Sequence, residues 1–270
     1  MKDLSIFSAT AAALVFCTAA IGQQTRVQAP SGYHTVACFK IKPDRAGDFR
    51  KWTAGEMHRV AQGRVDDGEI RTWYLLRSVF PQGGSADCDY LVVSIFPDAP
   101  RELGREELDA AIKKSGLSIS AQEYIDHRDA ASSLVSVALF RNEAFIGATE
   151  KGDYFLINYL KVSDIDQWID YEKQVWQPLA DAMIREGLTS GWAMNVETLP
   201  RGRDEAFDAV TVVVYPTWDA VFKDDTHFME RFKRIHPDME VGTTSQRFDQ
   251  LRTILSTDLY KLEDMVTASK

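Results

Sequence analysis

Apolar residues recur along the chain with two different spacings, which together predict a fold of mixed strands and helices. Short segments rich in β-branched and aromatic residues, such as Tyr33–Ile41 and Tyr154–Val162, predict strands. After the second of these, Ile165 and Trp168 begin a three- and four-residue apolar spacing that predicts an amphipathic helix. Pro178 lies within that helix, where we expect a kink or a break because proline lacks an amide hydrogen.

The same succession of patterns occurs twice. In each half the order is strand, helix, strand, strand, helix, strand, and the apolar runs LVVSIF and AVTVVVY indicate strands buried on both faces. This order is that of the ferredoxin-like α+β unit, a four-stranded antiparallel sheet with both helices on one face. The remaining predicted strands lie at 70–80, 89–96, 134–140, 188–199, 208–215 and 257–262.

Individual residues also repeat at nearly constant offsets. Trp192 follows Trp73 by 119 residues, Lys161 follows Lys40 by 121, and a third block pairs Arg128 with Arg252 at 124. Offsets that hold over a block and change between blocks are typical of a tandem repeat with small insertions or deletions. We therefore predict a first repeat at 33–145 and a second at 152–265, preceded by a linker at 23–32.

The second face of each sheet needs cover, because apolar strand residues left in water are costly. Two sheets packed face to face would provide it. In the second half the runs Y-x4-YLKV, W-x2-YE, QP and EG-x3-GW, with the element order, resemble the dimeric α/β-barrel superfamily, which includes antibiotic-biosynthesis monooxygenases and NIPSNAP-like proteins. The resemblance implies a pseudo-dimeric α/β barrel formed by two fused repeats, with a cleft between the sheets or beneath the helices.

Residues 1–22 have the pattern of a cleaved secretory signal peptide. The run AAALVFCTAA is followed by the small residues of Ala20-Ile-Gly22, a typical cleavage context. The alternatives are a lipoprotein acylated at Cys17 and an uncleaved amphipathic N-terminus. We therefore expect a secreted or periplasmic protein with no stable membrane insertion after cleavage, since the apolar run is short.

Charge and cysteine content narrow the function classes. The 270 residues carry a net charge of −9, which argues against a nucleic-acid partner because proteins that bind nucleic acids present basic patches.

Cys38 and Cys88 remain after the predicted cleavage, and export would permit a disulfide. If their strands run parallel, however, the sulfurs are several residues out of register. The repeat also places bulky Tyr159 and Phe207 at the corresponding positions, so we predict buried free thiols.

Strand positions supply the candidate ligand-binding residues. Lys40 and Lys161 recur at strand ends. One interpretation is that they bind an anion in a cleft; the other, which is more common for lysines at strand ends, is that they extend their ammonium groups to solvent. Arg128 and Arg252 are expected to pair with acids where a helix meets a strand. The candidate set for a barrel cleft is His34, Lys40, Trp73, Tyr74, Asn158, Tyr159, Lys161 and Trp192.

No nucleophile motif or phosphate-binding loop is identified, so the catalytic residues are left open. We predict neither a metal nor a cofactor, since Asp224, His227 and Glu230 share a helical face but have the spacing of a solvated surface. The preferred function is an exported protein that binds a small apolar or aromatic molecule, with homodimer formation open. The resemblance implies a cofactor-independent monooxygenase as one alternative. A haem-binding barrel, with an axial histidine from His58, His227 or His236, is another.

Overall fold

The computed structural model describes residues 32–81, 87–101, 104–202 and 205–268. The predicted signal peptide at 1–22 and all but the last residue of the predicted linker lie outside these ranges. Eight strands form one closed barrel in the order β1-β3-β2-β8-β5-β7-β6-β4. Their bounds are β1 Tyr33–Ile41, β2 Thr72–Phe80, β3 Tyr90–Ile95, β4 Ser132–Gly147, β5 Tyr154–Val162, β6 Gly191–Leu199, β7 Ala209–Tyr215 and β8 Arg252–Thr267.

The predicted barrel is confirmed: the inner faces of the two halves share one apolar core, and the halves are also joined edge to edge through β4 and β8, which was not predicted. Strands β4 and β8 have 16 residues each, so they are much longer than the segments predicted at 134–140 and 257–262. The first part of β4 pairs with β1, and its second part, from Leu139, pairs with β6. Likewise β8 pairs first with β5 and then, from Leu259, with β2. All pairings between the described strands are antiparallel.

Helices cover the outside of the barrel in both halves. The helices of the first half contribute buried residues such as Phe49, Trp52 and Ile112 to the core against the sheet, and in the second half Trp168 of a helix and Leu160 of β5 do the same. Burial of each such side chain stabilises the fold by roughly 1.5–3 kcal/mol. The helices are α1 Ala46–Trp52, α2 His58–Asp66, α3 Arg105–Lys114, α4 Ala121–Ala131, α5 Ile165–Tyr171, α6 Gln177–Arg185, α7 Trp218–Val221, α8 Phe228–Ile235 and α9 Val241–Leu251.

A π-helical turn interrupts the first helical run of each half. The turns span Thr53–Met57 and Glu172–Trp176, 119 residues apart. Pro178 lies in the first turn of α6, directly after the second π-helical turn. The first half has Arg59 at the corresponding position and the same π-helical turn. The helix is interrupted directly before Pro178, as predicted, but the same turn in the first half shows that the irregularity does not require a proline.

The last strands of the two halves correspond at an offset of 120. The amide of Lys42 donates to the carbonyl of Ala131, and the amide of Ser163 donates to that of Leu251, so Ser132 and Arg252 begin equivalent strands. The sequence offset of 124 that paired Arg128 with Arg252 was wrong for this reason. Arg128 lies four positions before Ser132, which is the structural counterpart of Arg252. The match between the two arginines was therefore misleading.

Cys38 and Cys88 form a disulfide, so the prediction of free thiols was wrong. Strands β1 and β3 are antiparallel, and the amide of Asp89 donates to the carbonyl of Phe39. The residue that precedes β3 therefore lies beside the end of β1, and the Cα atoms of the two cysteines are 5.3 Å apart.

In the described part of the chain, every helix is too short or too polar to cross a membrane.

Candidate functional site

The inside of the barrel contains a cavity of about 320 Å³. Seven of the strands contribute side chains to it, because alternate residues of each strand point inward. Most of the lining is apolar, for example Val36, Leu91, Phe155, Ile157 and Val212. Such a cavity lies in the ordinary size range for small-molecule sites.

A small set of polar groups interrupts this apolar lining. His34 of β1 lies beside Asn142 of β4, with 2.5 Å between Nδ1 and Oδ1. Tyr74 of β2 shares a hydrogen bond of 3.0 Å with the hydroxyl of Thr149, in the loop after β4. Asn195 of β6 also lines the cavity. Hydrogen-bonding groups from four strands and one loop therefore face one apolar space, and the exposed Arg71 also lines it.

His34 is held as a neutral imidazole. Burial lowers its pKa from 6.5 to about 4, and the hydrogen bond to Asn142 opposes this shift only in part. The ring stacks on Phe140 with 5.0 Å between centroids. Because Asn142 Oδ1 can only accept, Nδ1 of His34 carries the hydrogen and Nε2 is an acceptor. The imidazole can thus accept a hydrogen bond from a hydroxyl group of a ligand.

The two cavity tyrosines are also neutral at physiological pH. Burial raises the pKa of Tyr74, and the hydrogen bond from Thr149 lowers it by less. Burial raises the pKa of Tyr159 as well, with a further contribution from the charge of Asp258. Both hydroxyls therefore remain hydrogen-bond donors, and the titratable groups His34, Tyr74 and Tyr159 bring no net charge into the cavity.

Three of the eight candidate residues line the cavity, namely His34, Tyr74 and Tyr159. Their role in ligand binding stays a prediction. Asn158 does not join them, because it alternates with Tyr159 along β5 and faces the opposite side. Its side chain is hydrogen-bonded to the hydroxyls of Thr211, at 3.2 Å, and Thr257, at 2.7 Å.

Lys40 and Lys161 lie at strand ends and do not line the cavity. Nζ of Lys40 is 3.3 Å from a carboxylate oxygen of Asp89, and Nζ of Lys161 is 3.1 Å from one of Asp208. The second oxygen of each carboxylate accepts the backbone amide of the residue that follows the lysine. These repeated ion pairs fasten β1 to the start of β3 and β5 to the start of β7.

Trp73 and Trp192 lie on the outer face of the barrel, beneath the helices, and not in the cavity. Each is buried in the helix-covered core of its own half. Alternation explains the placement, since the next residues, Tyr74 and Ala193, both face the cavity. These tryptophans therefore support packing of the helices on the sheet.

The predicted arginine pairs are present. Arg128 lies 2.8 Å from Asp129, and Arg252 lies 3.4 Å from the buried carboxyl of Glu172. Burial raises the pKa of Glu172, while the charge of Arg252 and a hydrogen bond from the indole of Trp168 lower it by less.

The histidines that a haem would require lie outside the barrel cavity. His58 pairs with Asp264 at 2.7 Å, His227 is exposed, and Nε2 of His236 lies 2.9 Å from the carbonyl of Val175. The residues predicted as axial ligands therefore do not fit a haem in this cavity.

Asn142 and Asn195 were missed by sequence reasoning. The predicted fourth strand ended at residue 140, so Asn142 fell outside it, although β4 continues to Gly147. Asn195 is three positions after Trp192 in β6 and lies on the opposite face. An amide within an otherwise apolar strand was the available signal, because buried amides need hydrogen-bond partners.

No family model and no curated protein matches this sequence. The solved structures similar to it include a proposed monooxygenase from Lactobacillus acidophilus NCFM, at 11% identity and a TM-score of 0.50, covering 87% of this chain and 95% of that one. A proposed monooxygenase from Fusobacterium nucleatum subsp. nucleatum ATCC 25586 has 9% identity and a TM-score of 0.52, covering 87% of this chain and 94% of that one. These likenesses show a shared mixed α+β fold, and a relation to NIPSNAP-like proteins stays a prediction.

Proposed function

We propose that this protein binds a small, largely apolar aromatic molecule inside its barrel. The observation that carries the proposal is the cavity of about 320 Å³ with its mostly apolar lining. An apolar cavity of roughly 150 Å³ is already large enough to bind benzene in another protein. A molecule of one or two fused rings therefore matches the space available here.

The polar groups of the cavity select the chemistry of that molecule. His34 offers an acceptor at Nε2, and Tyr74 and Asn195 add hydroxyl and amide groups. These three are neutral, and Arg71, the charged residue of the lining, is exposed to solvent, so a charged ligand would lose its hydration without gaining an opposite charge from the buried groups. A neutral hydroxyl or carbonyl group on an aromatic ring is the best match.

Binding of 1-naphthol tests this proposal. We expect its fluorescence to change on binding to the wild-type protein, and binding to weaken by about tenfold or more in Val93→Phe, because the added ring occupies the cavity. Ala193→Leu fills the same space from β6 and should act alike. Met229→Phe, on an exposed residue of α8, is the control and should bind as wild type does. No saturable binding by the wild-type protein, or equal binding by all variants, would reject the cavity as the site.

A cofactor-independent oxygenase is the second candidate. It is favoured by the His34–Asn142 pair inside the cavity and by the fold shared with two proposed monooxygenases. In such a reaction the ligand itself supplies the electrons to O₂. Anthrone, for example, is oxidised at its methylene carbon to the quinone, and water is the second product. His34 would accept a hydrogen bond from the hydroxyl group of the enol tautomer of the ligand while O₂ reacts.

Oxygen uptake in the presence of anthrone separates an enzyme from a binding protein. For an enzyme we expect uptake above the uncatalysed rate, lowered at least about tenfold in His34→Gln, which loses the imidazole acceptor. His58→Gln is the matched control, since His58 lies outside the cavity against Asp264. Uptake at the uncatalysed rate by wild-type protein that still binds 1-naphthol would leave binding as the function.

We also propose that the chain is exported and that it arose from two ferredoxin-like repeats. Export is supported by the Cys38–Cys88 disulfide, since disulfides persist mainly in oxidising compartments. The duplication is supported by the recurrence of the element order and of the π-helical turns at an offset of 119.

A further inference from the structure

Arg71 is the charged residue of the cavity lining, and it lies at one end of the cavity. Its backbone amide donates to the carbonyl of Ile95 at 2.7 Å, and Ile95 is also the strand partner of His34 in β1 and of Thr72 in β2. Arg71 is therefore at the same end of the barrel as His34. Its side chain lines the cavity although the residue is exposed to solvent, so this end is the mouth of the cavity.

The guanidinium of Arg71 has no counter-charge within the described part of the chain. Among the described residues, no carboxylate pairs with it and no group accepts a hydrogen bond from it, and none of those that line the cavity is an acid. Two arginines close to it in the sequence are paired, Arg64 with Glu69 at 2.7 Å and Arg77 with Glu263. Because arginine stays protonated at any physiological pH, the mouth carries a full positive charge.

The fold does not itself require an arginine at this position. At the offset of 119 residues Ser190 corresponds to Arg71, and its amide donates to the carbonyl of Val214 just as that of Arg71 donates to Ile95. The hydroxyl of Ser190 lies 3.3 Å from a carboxylate oxygen of Asp153. The second half therefore builds the same strand start with a neutral side chain, and the charge belongs to the cavity mouth alone.

We propose that Arg71 binds a carboxylate on the aromatic ligand, so that the ligand of this cavity is an aromatic carboxylic acid. This inference rests on the proposed function and names the ligand class for the same cavity. The rings would occupy the apolar interior while the carboxylate stays at the mouth. A guanidinium can donate two parallel hydrogen bonds to one carboxylate, and its single positive charge matches the single negative charge of that group.

The exposure of Arg71 decides where the charge of the ligand lies. Deep in the cavity a carboxylate would lose its hydration among neutral side chains, whereas at the mouth it keeps part of that hydration and gains a counter-charge. The net charge of −9 repels an anion at long range, but salt screens this repulsion beyond about 10 Å at 0.1 M ionic strength. Contact with Arg71 is therefore the dominant interaction of the bound carboxylate.

Fluorescence titration with 2-naphthoate and with 2-naphthamide, a neutral compound of the same shape, tests the proposal. We expect the wild-type protein to bind 2-naphthoate about tenfold more tightly than 2-naphthamide. Arg71→Gln should lose this preference and still bind 2-naphthamide within about twofold of wild type. Arg71→Lys keeps the charge without the planar fork and should retain part of the preference.

Arg50→Gln is the control for net charge. Arg50 is an exposed arginine of α1 that does not line the cavity, so its replacement changes the net charge by the same amount and should leave the preference intact. Loss of the preference in Arg50→Gln would assign the effect to net charge and contradict the proposal. Equal weakening of both compounds in Arg71→Gln would instead give the arginine a structural role.

Two results with the wild-type protein separate this inference from the proposed function. If 2-naphthamide binds and 2-naphthoate binds no more tightly, Arg71 does not select the ligand, although the cavity remains the binding site. If neither compound binds, the proposed function fails and this inference fails with it. Added salt provides a measurement that needs no variant, since it should weaken the binding of 2-naphthoate and leave that of 2-naphthamide unchanged. Equal salt dependence of the two compounds would contradict an ion pair at the mouth.

Discussion

Loss of the Cys38–Cys88 disulfide is expected to lower the free energy of unfolding by about 4 kcal/mol. The bond joins residues 50 positions apart, and the chain-entropy model gives about 4 kcal/mol for a closed loop of that length. The loop includes α1, α2 and β2, so without the bond the unfolded chain gains freedom over most of the first half. Urea unfolding followed by tryptophan fluorescence, for the wild-type protein and Cys38→Ser/Cys88→Ser, measures the difference.

Unfolding of the wild-type protein in reducing buffer is the control, since it removes the bond without changing any residue. Both samples should unfold at a lower urea concentration than the oxidised protein. The second half has Tyr159 and Phe207 at the corresponding positions, with ring centroids 5.0 Å apart, so an aromatic contact fills the place of the bond there. A loss below about 1 kcal/mol would mean that packing, rather than the cross-link, holds the end of β1 against β3.

The order of elements could be predicted from the sequence because it depends on local patterns. Period-two and period-3.6 spacing predicted strand, helix, strand, strand, helix, strand in each half, and the structure has this order with each helical stretch divided into two or three helices. How the halves join depends on β4 and β8 running on from one half into the other, and nothing local marks that continuation. The barrel itself was predicted, but the junctions at Leu139 and Leu259, where these strands change partners, were not.

The candidate site was predicted in part, for a related reason. His34, Tyr74 and Tyr159 were proposed as strand residues that face a cleft, and they do line the cavity. Trp73 was proposed as well, although it is adjacent to Tyr74 and must face the other way. Strict alternation would have separated these two residues. The contact of Tyr74 with Thr149 and that of Trp73 with the helices, however, depend on long-range packing, which the sequence pattern does not contain.

Among the described carboxyl groups whose pKa is raised, that of Glu172 is the most deeply buried, and Arg252 is its counter-charge. The side chain of Glu172 is 1% exposed and that of Arg252 is 16% exposed. One oxygen of Glu172 accepts the indole hydrogen of Trp168 at 3.1 Å, and the other has no hydrogen-bond partner. A buried charge in this position depends strongly on its partner, because water cannot replace the lost interaction.

Arg252→Met is expected to destabilise the protein by about 3–5 kcal/mol, since it leaves the carboxyl of Glu172 buried without a counter-charge. The double variant Glu172→Gln/Arg252→Met should recover most of that loss, because the amide keeps the bond from Trp168 and carries no charge. The first half supports this expectation, since the corresponding positions hold uncharged Thr53 and Ser132 in the same π-helical turn and at the same strand start. Urea unfolding of both variants, with Glu172→Gln alone as the control, gives the comparison. Equal destabilisation of the single and double variants would instead assign the role of Arg252 to its guanidinium, which lies 4.9 Å from the ring centroid of Phe248.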